Sequence, residues 1–475
     1  MFHKSVSKFG LATHLALAAA LPAALAQFVT EHMLGVAMLW TALLAWIWII
    51  FEPSVFAGET VSRARARVLG RMLRDPFAWF LVVATLFAFI RWLNSGIDLF
   101  YDAEKTVWQV KDAALSILPA SSKQAAFLPF ATVLVLSTVI IGVRHALGRN
   151  ARIWFGVTTG TFSAVGGLAA AICVTFGVES LKEAALFNFG SVWFYGSAYA
   201  FILPMAIACG IEAEERGITK SRLLFAFAVA GNSVAAFVFL PIILALSYLS
   251  ISVVTAMVSL SFCKKRAGAA ACARAASMLA FGIVGAVSIV IAPSYKDIMQ
   301  EKMKGLKIES AFTQELADRN QALKRVSSAM WKDRQWGGIG VGAFELQAPF
   351  YIQNDEWSVL PPDPKHSMNG IFTILAERGI IGILFIVSCI GFLISYWVSS
   401  LIASLKWHNG QEEGRAWIFC VPTIVFTGIA VFIAFVVDAW FSLGFPLTSL
   451  PVAAGSVMVL SAASFPRPKT KHTQD

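Results

Sequence analysis

The stretch Pro76-Phe77-Ala78-Trp79-Phe80-Leu81-Val82-Val83-Ala84-Thr85-Leu86-Phe87-Ala88-Phe89-Ile90-Arg91-Trp92-Leu93-Asn94 decides the fold. It is apolar almost throughout and, at about 1.5 Å rise per residue, long enough to cross a bilayer core of about 30 Å as one helix. Arg63, Arg65, Arg67, Arg71 and Arg74 precede it, and Asp98, Asp102, Glu104 and Asp112 follow it. Lys and Arg accumulate in cytoplasmic loops. The segment therefore reads as a span running outward from the cytoplasm, with Arg91 at its outer end.

Comparable runs recur near residues 10–28, 33–51, 125–146, 152–178, 191–209, 275–292, 379–403, 416–436 and 445–463. The stretch 223–262 is too long for one span and is read as two that fold back around Leu246 to Ser252. The spacing predicts an all-α integral membrane protein of about twelve transmembrane helices. Only 14% of the 475 residues are charged and 57% are hydrophobic, against about 25% charged in soluble domains, which excludes a soluble globular fold. The net charge of +10 is spread over short segments between apolar runs, and alternating the connections puts one basic set, with Arg63 to Arg74, on the cytoplasmic side: Arg144, Arg149 and Arg152; Lys264, Lys265, Arg266 and Arg274; Arg467, Lys469 and Lys471. No nucleic-acid partner is expected. Lys4, Lys8 and Ala24-Leu25-Ala26 before Gln27 also fit a signal peptide; an uncleaved first helix is preferred, and the later orientation is the same either way.

Residues 1–292 thus carry spans one to nine, 293–369 a long periplasmic loop, 370–463 spans ten to twelve, and 464–475 a cytoplasmic tail. Loops longer than about 15 residues are usually functional or disordered. This one carries Ile308, Phe312, Leu316, Leu323, Val326 and Met330 on one helical face, predicting an amphipathic helix over 307–331 that lies on the membrane domain. Arg319 projects from that stripe, either snorkelling to headgroups or presenting a guanidinium fork to a lipid-linked phosphate. Gly337-Gly338-Ile339-Gly340-Val341-Gly342-Ala343-Phe344 follows, either a tight turn or a loop whose amides approach a ligand closely. It lacks the flanking strand and the Lys-Ser/Thr of a nucleotide loop. His366, in Pro364-Lys365-His366-Ser367-Met368-Asn369, sits at a helix N-terminus, where the dipole favours neutral imidazole. It is either a general base for a hydroxyl or a structural histidine. Glu377-Arg378-Gly379-Ile380-Ile381-Gly382 opens the next span.

Arg319, the run Gly338 to Phe344, His366 to Asn369, and Glu377 to Gly382, in that order within an outer loop, together resemble the O-antigen ligase and polymerase superfamily of membrane glycosyltransferases. The resemblance implies a GT-C-like, metal-independent and cofactor-free transferase in the bacterial inner membrane with its active site facing the periplasm. It would move a glycan from undecaprenyl diphosphate to a sugar hydroxyl of lipid A core, or join repeat units as a Wzy-like O-antigen or exopolysaccharide polymerase, the acceptor then being a second glycan. It further implies that Arg319 and His366 are catalytic and that Gly338, Gly340, Gly342, Asn369 and Glu377 contact substrate. Arg325 is the rival to Arg319 in the alignment, and Arg91 the second arginine for the diphosphate. A polytopic transporter or flippase is the other reading, but such proteins place ionisable groups and helix breaks at mid-membrane, whereas here the candidates cluster outside.

Overall fold

A computed structural model describes residues 3–25, 28–51, 60–102, 107–111, 114–115, 118–176, 193–240, 242–292, 318–319, 321–354, 356–358, 370–408 and a few isolated positions. In chain order the helices are α1 (His3–Leu25), α2 (Glu31–Phe51), α3 (Val61–Leu73), α4 (Pro76–Leu93), α5 (Lys123–Ile141), α6 (Arg149–Thr175), α7 (Trp193–Glu215), α8 (Arg222–Phe239), α9 (Ile242–Ala267), α10 (Ala269–Val290), α11 (321–333) and α12 (Gly370–His408). Among the described residues, 8 helices are long and apolar enough to cross a membrane. The chain is a multi-pass membrane protein. The spans expected over 416–436 and 445–463 fall almost entirely outside the described residues, as does Leu316 with the first part of the amphipathic helix.

One expectation is overturned. The fold-back placed around Leu246 to Ser252 lies instead at Leu240, which is extended (φ −107, ψ 151), and α9 runs unbroken from Ile242. The physical reason is in the sequence: residue 241 is proline, which disfavours helical geometry in the residue before it.

Small residues let the central helices approach closely. Gly160 packs against Ala206 and Ala228, Gly167 against Ala235, and Gly231 against Ala164. In the same seam Asn232 donates to the Gly160 carbonyl at 2.8 Å and accepts from Ser163 at 2.7 Å; such contacts between membrane helices are worth about 0.6 to 2 kcal/mol each. At one end of the bundle Arg144 meets Asp75 at 2.5 Å, Arg216 meets Glu212, Arg222 and Arg274 meet Glu214, and Arg266 meets Glu215. Arg144, Arg266 and Arg274 come from segments assigned to the cytoplasmic side, and Arg216 and Arg222 join them, so the contacts gather all five at a single end.

The opposite end carries the remaining layer. Strands β1 (Asp98–Asp102) and β2 (Val107–Lys111) form an antiparallel hairpin there, pairing Phe100 with Gln109, an addition to the otherwise helical fold. In α11 the expected stripe is buried: Leu323 is 2% exposed and Val326 and Met330 0%. They pack with Ile97, Ile339, Phe344 and Ala376 into a separate small core.

Candidate active site

The site lies where α4 ends, α12 begins and the glycine run crosses between them. Asp75 starts α4 by accepting the Phe77 amide at 3.1 Å, with Pro76 in the first turn. Asn94 ends it: its side-chain amide donates to the Leu115 and Leu118 carbonyls at 2.7 and 2.8 Å and its carbonyl oxygen accepts the Leu115 amide. Arg91, one turn earlier, lines a cavity together with Leu118. Trp92 stacks on Phe130 of α5 with ring centroids 5.7 Å apart.

The six consecutive amides from Gly338 to Ala343 all donate to protein acceptors, among them the Ala376 carbonyl (from Ile339, 2.8 Å), the Glu377 carbonyl (from Gly340, 3.1 Å), the Pro119 carbonyl (from Val341, 3.2 Å) and the Glu377 carboxylate (from Gly342, 3.0 Å). The amides of Gly338, Gly340 and Gly342 are thus engaged within the protein. At Gly379 the backbone of α12 turns to φ 61, ψ −159 and the helix breaks. The groups orphaned by that break are satisfied by the crossing chain: Ile339 and Gly340 donate to the Ala376 and Glu377 carbonyls, while the Ile380 and Ile381 amides donate to the Gln335 and Trp336 carbonyls at 2.8 and 3.2 Å. A Cβ on Gly338, whose φ is +71, would fall onto the Glu377 carbonyl carbon. Only glycine permits that crossing.

Between α4, α5 and α12 lies a cavity of about 90 Å³ with Arg91, Arg378, Leu118 and Val341 at its outer end and Ala84, Phe130, Val133, Phe385 and Ile386 along its depth. Ala84 is seven residues from Arg91, about 10 Å along the helix. The cavity thus joins a cationic head to an apolar shaft. Nε and Nη2 of Arg91 and Nε of Arg378 are buried without a hydrogen-bond partner, as is Oε2 of Glu377. Glu377 is not among the residues lining the cavity, but its carboxylate interacts with both guanidiniums, and the three groups together carry a formal charge of +1.

The other candidates are placed differently. Arg319 is half-buried, just ahead of α11, and is not among the residues lining the cavity. Arg325 is bound by the Glu356 carboxylate through two nitrogens and donates to the Tyr351 carbonyl at 2.9 Å. That contact holds the Glu356 carboxyl below its usual range. Burial, and then the hydrogen bond to Asp333, push the Tyr351 phenol up. His366 and Asn369 lie outside the described residues. Sequence reasoning missed Arg378 as a cavity-lining group and Asn94 as the tie to Leu115 and Leu118; an arginine beside a glycine at the start of an apolar run was the available signal for the first.

No curated protein matches the chain. Residues 217–387, which include the glycine run and the Glu377-Arg378-Gly379 break, match the sequence model of the O-antigen ligase family. With the helical membrane body, this supports a place for the chain in the O-antigen ligase and polymerase superfamily of glycosyltransferase-like membrane enzymes.

Proposed function

We propose that the chain is a GT-C-like O-antigen ligase that transfers a glycan from undecaprenyl diphosphate to a sugar hydroxyl of lipid A core on the periplasmic face of the bacterial inner membrane. The observation that carries the reading is the cavity headed by Arg91 and Arg378. Buried guanidinium nitrogens without partners above an apolar shaft suit an amphiphile whose head is a phosphate and whose tail is a hydrocarbon, because arginine binds phosphate oxygens in bidentate fashion and keeps its charge in a dry site.

In this reading the acceptor hydroxyl attacks the anomeric carbon, the bond from that carbon to the diphosphate oxygen breaks, and the electron pair leaves with undecaprenyl diphosphate. Arg91 and Arg378 neutralise the departing charge, with Arg319 completing the phosphate contacts from the outer segment. His366 takes the hydroxyl proton. The glycine run holds Val341 and Arg378 at the mouth, and the donor, already activated as a diphosphate ester, needs chiefly to be positioned.

A Wzy-like polymerase, whose acceptor is a second lipid-linked glycan, is favoured by the hairpin of β1 and β2, a second ordered outer element beside the long segment. The acceptor distinguishes the two. Deleting a ligase leaves bare lipid A core on a lipopolysaccharide gel while lipid-linked polymer accumulates; core bearing a single repeat unit identifies a polymerase. Normal lipopolysaccharide with no accumulated lipid-linked glycan overturns both readings.

A further inference from the structure

We infer that Glu377 is a built-in counter-anion of the Arg91 and Arg378 cavity, standing in part for the charge of the diphosphate and so setting how readily the diphosphate product leaves. This rests on the reading of that cavity as the donor site.

Glu377 is 2% exposed, and its two carboxylate oxygens have different fates. Oε1 accepts the Gly342 amide at 3.0 Å and the Phe344 amide also faces the carboxylate, whereas Oε2 is buried with no partner at hydrogen-bond geometry. The carboxylate interacts electrostatically with both guanidiniums, yet no ion pair joins it to either among the described residues. The Gly342 amide explains the separation, because it anchors one oxygen on the glycine run and keeps the group from swinging across to close a salt bridge. Arg91 and Arg378 are thus partly neutralised through space while the N–H groups that a phosphate needs stay uncommitted. Burying two guanidiniums with no counter-charge would be costly; direct pairing would consume the donors that recognise the ligand. The same carboxylate repels a bound diphosphate, and that repulsion favours release of the product, which is more negative than the glycan-bearing donor.

The test uses the full chain in nanodiscs with inorganic pyrophosphate and a prenyl diphosphate as probes. Glu377→Gln keeps an oxygen for the Gly342 amide and removes the charge. It should tighten binding of both probes by up to about 10³-fold, the size expected for one unit charge about 4 Å away in a medium of effective dielectric about 20. KM for the donor and kcat should fall together as release slows. An unchanged or weaker affinity in a variant that unfolds at the wild-type temperature overturns the inference. The pair Glu377→Asp and Glu377→Asn repeats the charge comparison in a shorter side chain should the glutamine variant not fold, and equal affinities in that pair overturn it likewise. Arg91→Ala and Arg378→Ala separate the two claims: if neither weakens pyrophosphate binding, the donor-site reading fails; if both do while Glu377→Gln changes nothing, only the counter-anion fails.

Discussion

The Ile380 amide donates to the Gln335 carbonyl at 2.8 Å, across forty-five residues, in place of the Ala376 carbonyl that an unbroken helix would offer it. Ala376 instead accepts from Ile339, so the crossing chain repairs the hydrogen bonds that Gly379 removes. The break is what places Arg378 against the membrane cavity while α12 continues past it as a span.

Gly338→Ala and Gly379→Ala should each destabilise the protein. Both positions have positive φ, +71 and +61, and an added Cβ would meet the Glu377 carbonyl carbon or the Trp336 carbonyl oxygen. Thermal unfolding in detergent should report at least about 1–3 kcal/mol for such strain. Gly391→Ala, later in α12, has nothing within 4 Å of its new methyl group and should be neutral or slightly stabilising.

Arg91→Ala and Arg378→Ala should each lower transfer by about 10²- to 10³-fold, the usual cost of removing one preorganised charge-stabilising donor. Lysine at either position should rescue poorly, since an ammonium lacks the planar fork. Turnover in reconstituted vesicles measures this, and full activity of the lysine variants would argue against bidentate phosphate contact.

Arg319 and Arg325 should separate by phenotype. Arg325 is bound to Glu356 and to the Tyr351 carbonyl, so Arg325→Ala should loosen the outer layer, read as faster proteolysis between 321 and 360. Arg319→Ala should abolish transfer with the fold intact, and His366→Ala should slow it by about 10²- to 10⁴-fold. Loss of transfer in a well-folded Arg325 variant would exchange the two roles.

The orientation predicts that Lys332→Cys, exposed on α11, reacts with a membrane-impermeant maleimide in intact spheroplasts. Lys264→Cys, exposed at the opposite end of the bundle, should react only after lysis. The reverse pattern would turn the protein over in the membrane.

Acid should loosen the outer layer through Glu356. Its carboxyl is held below the ordinary value, chiefly by Arg325, so the stability it contributes is complete above the unfolded carboxylate value of about 4.3 and is lost as pH falls through the lower folded value. Hydrogen exchange over 345–358 should accelerate in that acid window, and Glu356→Gln should remove the dependence.

Hydropathy and charge placement, which are local properties, determined the order of the apolar helices α1, α2 and α4 to α10, the gathering of Arg144, Arg266 and Arg274 at one end, and the buried stripe of Leu323, Val326 and Met330. The glycine run was legible for the same reason, since four glycines in six residues cannot make a stable helix. Even the turn at Leu240 was written locally, in Pro241, although hydropathy alone drew it too late. What only the tertiary structure decided is which groups meet: that the amides of the glycine run serve the broken α12, that Arg325 is engaged by Glu356, and that Arg91 and Arg378, 287 residues apart in the chain, share one cavity. These depend on long-range approach of separate helices, and neither periodicity nor spacing along the chain records the direction in which a buried guanidinium finally points.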